Sequence, residues 1–404
     1  MKNTGRFISA AGVLLLTACS TGKHTQLPET VATNRVVLEE NYEGFCHLDG
    51  VVDNTYPGYQ ASGYALVDPL AGSKLSWAVT IEKAGDYILQ WRYASGKEQP
   101  TASLEVNHQQ HLPIRFPATG ALDHWQNATV KVSLEAGLTS IALLAESDLG
   151  LPLIDSLSIS GSDVRRVNCD GTQVATYQPN PRCLAGSTFS NETVDCGGAR
   201  IGLACEGGEF MPPVITLENA HVKNLRIAAG GGSDGIWCTR GDCVIENVVW
   251  EDICEDAATQ KSQPGSTLTV IGGWSWDKSG GKIFQHNAPD TTFIVTGGFT
   301  MKGRNAKMLR ACGNCDDNGG NKKLIIDDVR IEGVLTEEVV APNVNYGDKA
   351  RVRNLQVKNY QPGQQQICAE WVGFEKAEKK PAERQGEAWN TAACDLSPSD
   401  VTAF

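Results

Sequence analysis

Val222-Lys-Asn-Leu-Arg-Ile227, Ile245-Glu-Asn-Val-Val-Trp250, Ile326-Asp-Asp-Val-Arg-Ile331 and Val352-Arg-Asn-Leu-Gln-Val357 repeat one pattern, alternating aliphatics around an asparagine or aspartate. Asn224 and Asn247 are 23 residues apart, and Asp328 and Asn354 are 26 apart, a period in the range of solenoid repeats. One such unit cannot bury its own aliphatic face, so the units must stack. A right-handed parallel β-helix does this: inward aliphatics pile rung on rung, and Asn side chains at the bends reach their equivalents one turn away. An antiparallel sandwich would need hairpin turns, and these are sparse after Cys183. Residues 183–404 therefore read as a β-helix domain, reached through a linker over 163–182 that contains Gln178-Pro-Asn-Pro181.

Ahead of the linker the texture changes. Leu75-Ser-Trp-Ala-Val79, Tyr87-Ile-Leu-Gln-Trp-Arg-Tyr93, Ala102-Ser-Leu-Glu-Val106 and Thr129-Val-Lys-Val-Ser-Leu134 are short alternating segments divided by Gly, Pro, Asn and Asp. That spacing predicts a jelly-roll β-sandwich over 36–162, and an all-β chain as a whole. Residues 20–35 are polar and read as a spacer. Residues 1–19 have the form of a signal segment: Lys2 and Arg6 precede the apolar run Phe7 to Leu16, which is too short to span a bilayer.

A net charge of −12 on 404 residues, with no basic patch, argues against nucleic acid as partner. It also means that an anionic polymer would need a cation to approach. Setting Cys19 aside leaves twelve of the thirteen cysteines, an even number suited to disulfides in an exported chain. Eleven of the twelve lie at or after Cys169, so the staples belong mainly to the C-terminal part. Cys312-Gly-Asn-Cys315 has zinc-like spacing but no matching second pair, which favours a disulfide.

Leu16-Thr-Ala-Cys19 resembles a bacterial lipobox. The resemblance implies that Cys19 is lipidated, becomes the mature N-terminus and anchors the protein to the outer membrane or cell surface, since two or more acyl chains hold durably.

Four motifs in order decide the chemistry. They are Asp234-Gly-Ile-Trp-Cys238, Cys243 through the Glu255-Asp256 pair to Thr259, Lys282-Ile-Phe-Gln-His-Asn287 and Lys307-Met-Leu-Arg-Ala-Cys-Gly-Asn-Cys315. Together they resemble polysaccharide lyase family 3, whose members are calcium-requiring β-helix pectate lyases. That implies cleavage of polygalacturonate, the backbone of pectin, by β-elimination. The residues make chemical sense alone. Asp234 and Glu255 are 21 residues apart, close to one turn, so Asp234, Glu255 and Asp256 can stand on adjacent rungs and share Ca2+. Abstraction of a uronate C5 proton leaves an enolate-like carboxylate that such an ion stabilises. In the family's logic the base is a lysine or arginine. Lys282 is the expected base, with Arg310 and Lys307 completing the catalytic cationic surface and Lys261 a substrate contact near the metal. His286 is expected to be a structural hydrogen-bonding residue, and Asp316-Asp317 and Glu337-Glu338 solvated loop charges. Trp237 departs from the family, which has His there.

Gly58-Tyr-Gln-Ala-Ser-Gly-Tyr64, Trp91-Arg-Tyr-Ala-Ser-Gly96 and Gly150-Leu-Pro-Leu-Ile-Asp155 resemble carbohydrate-binding module family 35. That resemblance implies a structural calcium between Glu40 and Asp155, plant cell-wall polysaccharide as partner, and sugar stacking on Trp125 and Tyr64. Leu153 stands where relatives that bind uronic acid commonly have Asn. A catalytically inactive pectin-binding lectin at the cell surface is the alternative to an active enzyme. A hydrolase with paired carboxylates would not call for the Lys and Arg set.

Overall fold

The computed structural model describes residues 34–40, 42–61, 63–173, 178–205, 211–276 and 278–404. The lipobox and Cys19 lie outside them. Two six-stranded antiparallel sheets form the N-terminal sandwich, around a core that includes Trp77, Trp91, Tyr87 and Leu157. Each core residue alternates with an outward neighbour, as in Gly85–Ala94, where Tyr87, Leu89, Trp91 and Tyr93 are buried. The sandwich runs past residue 162. Its strand Val164–Arg166 pairs with Lys74–Ile81, and Cys169 is joined to Cys46, so the first part of the expected linker is held against the module.

From Ser187 onward the chain winds into a β-solenoid of about 7 turns, with parallel pairing throughout except for the closing strand Glu383–Glu387. Val222, Ile245, Val270, Val295, Ile326 and Val352 lie in register on consecutive turns, and all are fully buried. Two turns in the middle of this stack, Thr267–Ile271 and Thr292–Thr296, have no asparagine at the bend. Gly272-Gly273 and Gly297-Gly298 take the left-handed φ there instead, the conformation that Asn224, Asn247 and Asn354 adopt on other turns. The asparagine ladder forms as expected: Asn247 Nδ2 donates to Asn224 Oδ1 at 2.8 Å, and Asn224 Nδ2 to Asp195 Oδ1 at 2.9 Å. Cys312 pairs with Cys315, and all twelve described cysteines lie in six disulfides.

Candidate active site

Parallel register on the other sheet aligns Ile236, Ala258, Phe284, Leu309 and Val340. Two residues before these stand Asp234, Asp256, Lys282, Lys307 and Glu338, and one residue after four of them stand Trp237, Thr259, Gln285 and Arg310. With rungs about 4.8 Å apart, residues scattered over a hundred positions become one column of two acids, two ammonium groups and another acid.

At the acidic end, Lys282 Nζ lies 3.2 Å from Glu255 Oε1 and 3.3 Å from Asp256 Oδ1. Burial opposes the charge on Lys282, yet the Asp256 and Glu255 carboxylates together outweigh it and hold the ammonium above the ordinary lysine range. Asp234 is buried, which pushes its carboxyl upward against the pull of Lys261. Its Oδ2 accepts from Trp237 Nε1 at 2.8 Å and lies 3.8 Å from Lys261 Nζ. Its Oδ1 is buried without a hydrogen-bond partner among the described residues. Lys261 Nζ sits over the Trp237 ring, 3.1 Å from its centroid, and burial pulls its pKa down. Trp237 thus supplies a donor to the acid and a face to the lysine. The oxygens of Asp234, Glu255 and Asp256 do not gather within 4.8 Å of one another; the two ammonium groups lie against them. An orphaned buried carboxylate oxygen and an all-oxygen donor set suit a hard divalent cation. The only tight three-residue group among the described residues, Cys205, Asp252 and Cys254, contains a disulfide and offers no free thiolate.

At the cationic end, Arg310 Nη1 donates to Ala341 O at 3.0 Å and to Asn343 Oδ1 at 2.9 Å, and its guanidinium lies 4.6 Å from the Trp371 ring centroid. Burial lowers its pKa to about 10. Lys307 pairs with Glu337 and lies 3.9 Å from Glu338 Oε1. Glu337 is a half-exposed charge in the bend before the next strand, as expected, but Glu338 is not a solvated loop charge. Glu338 is fully buried, accepting from Trp371 Nε1 at 2.9 Å and Arg384 Nε at 3.2 Å, because its strand Glu338–Ala341 forms the next rung of this sheet. The sequence pattern singles out neither Asn343 nor Trp371, and it assigns Glu338 to a loop. The one available signal was the step from Arg310 to its neighbour one turn on, at Ala341.

A pectate lyase family model matches residues 172–378. The chain belongs to the pectate lyase family. The catalytic domain of pectate lyase PelI from Erwinia chrysanthemi is 43% identical, with 55% of this chain and 99% of that one covered and a TM-score of 0.52. Pectate lyase Pel3 from Pectobacterium carotovorum is 31% identical, with 84% and 98% covered and a TM-score of 0.54. Endo-1,4-beta-xylanase B of Cellvibrio japonicus is 37% identical over 137 residues, 33% of this chain, which spans only 23% of that protein's length. The N-terminal sandwich is similar to family 35 carbohydrate-binding modules.

Other residues of this family member fall outside the column. His286 is fully buried, with Nε2 2.7 Å from Thr291 Oγ1, and burial depresses its pKa to about 3, so it stays neutral in the wall of the solenoid. In the module, Tyr64 is fully buried and packs against Trp125 at 5.4 Å between centroids. Tyr64 therefore offers no face for a sugar, contrary to the expectation, because Tyr59 and Trp125 cover it. Trp125 is half-exposed, with Nε1 held by Pro57 O at 2.9 Å and Arg92 at 5.1 Å over its ring. Asp155 is buried and already accepts from Arg92 Nη1 at 2.6 Å and Gln60 N at 2.8 Å. Glu40 is buried as well.

Proposed function

We propose that the chain is a calcium-dependent pectate lyase that cleaves polygalacturonate by β-elimination and releases unsaturated oligogalacturonides. The observation that carries this reading is the column Asp234, Asp256, Lys282, Lys307, with Glu255 and Arg310 beside it. Ca2+ held by Asp234, Glu255 and Asp256 would take over the charge that Lys282 now balances and would withdraw electrons from a substrate carboxylate. Lys282, neutral once parted from the acids, accepts the C5 proton on its Nζ. Arg310 has its plane fixed by Ala341, Asn343 and Trp371, and its remaining N–H groups bind a uronate carboxylate. Lys307 adds positive charge one rung from Lys282. Lys261 and Trp237 border the acidic end and contact the polymer there.

The module, with the half-exposed Trp125 as its candidate stacking face, holds cell-wall polysaccharide near the enzyme. Glu40 and Asp155 are its candidate calcium ligands. Asp155 would have to exchange Arg92 for the ion, so an isolated module that gains no stability from calcium would remove that assignment. Lipidation of Cys19 ties the protein to the outer membrane or cell surface. Mass spectrometry showing an unmodified N-terminus downstream of Cys19 would refute the anchor.

The deciding experiment is incubation with polygalacturonate, with and without a chelator, followed by the ultraviolet absorbance of unsaturated products. Calcium-dependent growth of that absorbance supports the enzyme. Retention of polygalacturonate without any product would leave the inactive lectin.

A further inference from the structure

The sandwich rests against the solenoid and leaves a cleft of about 550 Å³ between them. Close contacts bound it. Lys358 Nζ donates to Leu48 O at 3.1 Å and to Gly50 O, and Arg304 Nε lies 3.8 Å from Asp53 Oδ1. Gly63 packs so tightly on Trp276 that a Cβ there would come within 2.9 Å of Cζ2.

The charges lining the cleft do not cancel. Three cations, Lys302, Arg330 and Lys358, face two acids, Asp49 and Glu332. Glu332, on the rung between Lys302 and Lys358, pairs with Arg330 at 2.8 Å, and Asp49 accepts from His47 at 2.8 Å and from Lys74 N at 2.9 Å, which leaves one cation in excess. Lys302 is half-buried, with its ammonium 4.8 Å from the Trp274 ring centroid and no carboxylate in ion-pair range among the described residues. Lys358 is half-buried too and, among the described residues, donates to the two carbonyl oxygens and forms no ion pair. Burial disfavours the charge on both, and outweighs the pull of Glu332 on Lys302 and of Asp68, Glu332 and Asp49 on Lys358. On a chain of net charge −12, two partly desolvated ammonium groups facing one space make a local anion trap. Phe404, capped on one face by Arg330 at 3.4 Å, adds apolar surface at the edge.

We propose that this cleft is a second binding site, separate from the Lys282 column, that holds the carboxylate of a short acidic sugar against the ammonium groups of Lys302 and Lys358. A cleft between two domains is a common place for such a site, and its volume admits a uronate disaccharide. The choice of an acidic sugar rests on the lyase reading, whereas capture of an anion does not. Occupancy by a short product would report on polymer breakdown at a distance from the catalytic column.

Isothermal titration of the full chain tests this, with chelator present to suspend turnover and digalacturonate, inorganic phosphate and galactose as titrants. Digalacturonate is expected to bind wild type, and Lys302→Gln to weaken that binding about tenfold, the scale of one charge-assisted hydrogen bond. Lys302→Arg should keep it, Lys282→Ala should leave it in place, and galactose should not bind. Lys358→Gln gives a second reading, two rungs along the same wall, if Lys302→Gln fails to fold. An isotherm unchanged in both variants overturns the site. Phosphate binding as tightly as digalacturonate, and lost in Lys302→Gln, overturns the sugar assignment. The ultraviolet lyase assay on the same protein preparations, without chelator and with calcium and polygalacturonate added, separates the two readings: Lys302-dependent binding without unsaturated product sinks the lyase and keeps the site, and product without such binding does the reverse.

Discussion

Lys282 Nζ stands 3.3 Å from Asp256 Oδ1, so the expected base and an expected metal ligand neutralise each other across one rung. The ammonium occupies the place where a divalent ion would compete for the same oxygen. Removing it should free the acids. Lys282→Ala is expected to lower turnover by at least ~10²-fold while binding calcium at least as tightly as wild type. Calcium titration alongside the ultraviolet assay measures both, and weaker calcium binding in Lys282→Ala would contradict this account of the pair.

Asp256→Asn should behave in the opposite way. It removes one charged oxygen donor from the acidic end, so calcium affinity falls and excess calcium restores part of the activity. No calcium concentration should restore Lys282→Ala. A calcium series on both variants distinguishes a lost ligand from a lost base.

Trp371 holds two cations, with the Arg310 guanidinium 4.6 Å and the Lys307 ammonium 5.2 Å from its ring centroid. Trp371→Ala is expected to lower kcat/KM about tenfold, the upper scale of a partly desolvated cation–π contact. Trp371→Phe should keep most of the activity, because it retains a ring face and loses only the indole donor to Glu338. Equal loss in the two variants would shift the role from the ring to that hydrogen bond.

His286 ties stability to pH. Its folded pKa of about 3 lies below the 6.5 of an unperturbed histidine, so the unfolded chain binds a proton that the folded one excludes between these values. Stability from this residue is full above pH 6.5 and falls as the pH drops toward 3, by at most about 1.4 kcal/mol per pH unit. Melting curves of wild type and His286→Gln across that window should converge as the pH falls. Parallel curves would show that His286 does not set the slope.

The two departures of the site from expectation, at Tyr64 and at Glu338, share one cause. A sequence shows which residue types are present and how they alternate, but not what neighbouring rungs or loops place on top of them. Tyr64 was legible as an aromatic beside turn residues, and only the packing of Tyr59 and Trp125 around it shows that its ring is covered. Glu338 follows Glu337 in what reads as a charged loop, yet parallel pairing beyond Arg304–Ala311 turns it inward beneath Trp371 and Arg384.

The solenoid was legible in the residues alone, because aliphatic alternation and a recurring Asn or Asp are local properties that force stacking. The sandwich was legible for the same reason, through alternation and turn residues, and the spacing of Asp234 and Glu255 already placed acids one turn apart. The register that sets Lys282 against Asp256 and Lys307 beside Lys282 came from the stacking of whole turns. Turn lengths differ from rung to rung, and a displacement of one residue in a parallel strand sends every side chain to the other face. The cleft between sandwich and solenoid belongs to the tertiary structure in the same way. Lys302 and Lys358 lie on one domain and Leu48 and Gly50 on the other, and no spacing within the chain relates them.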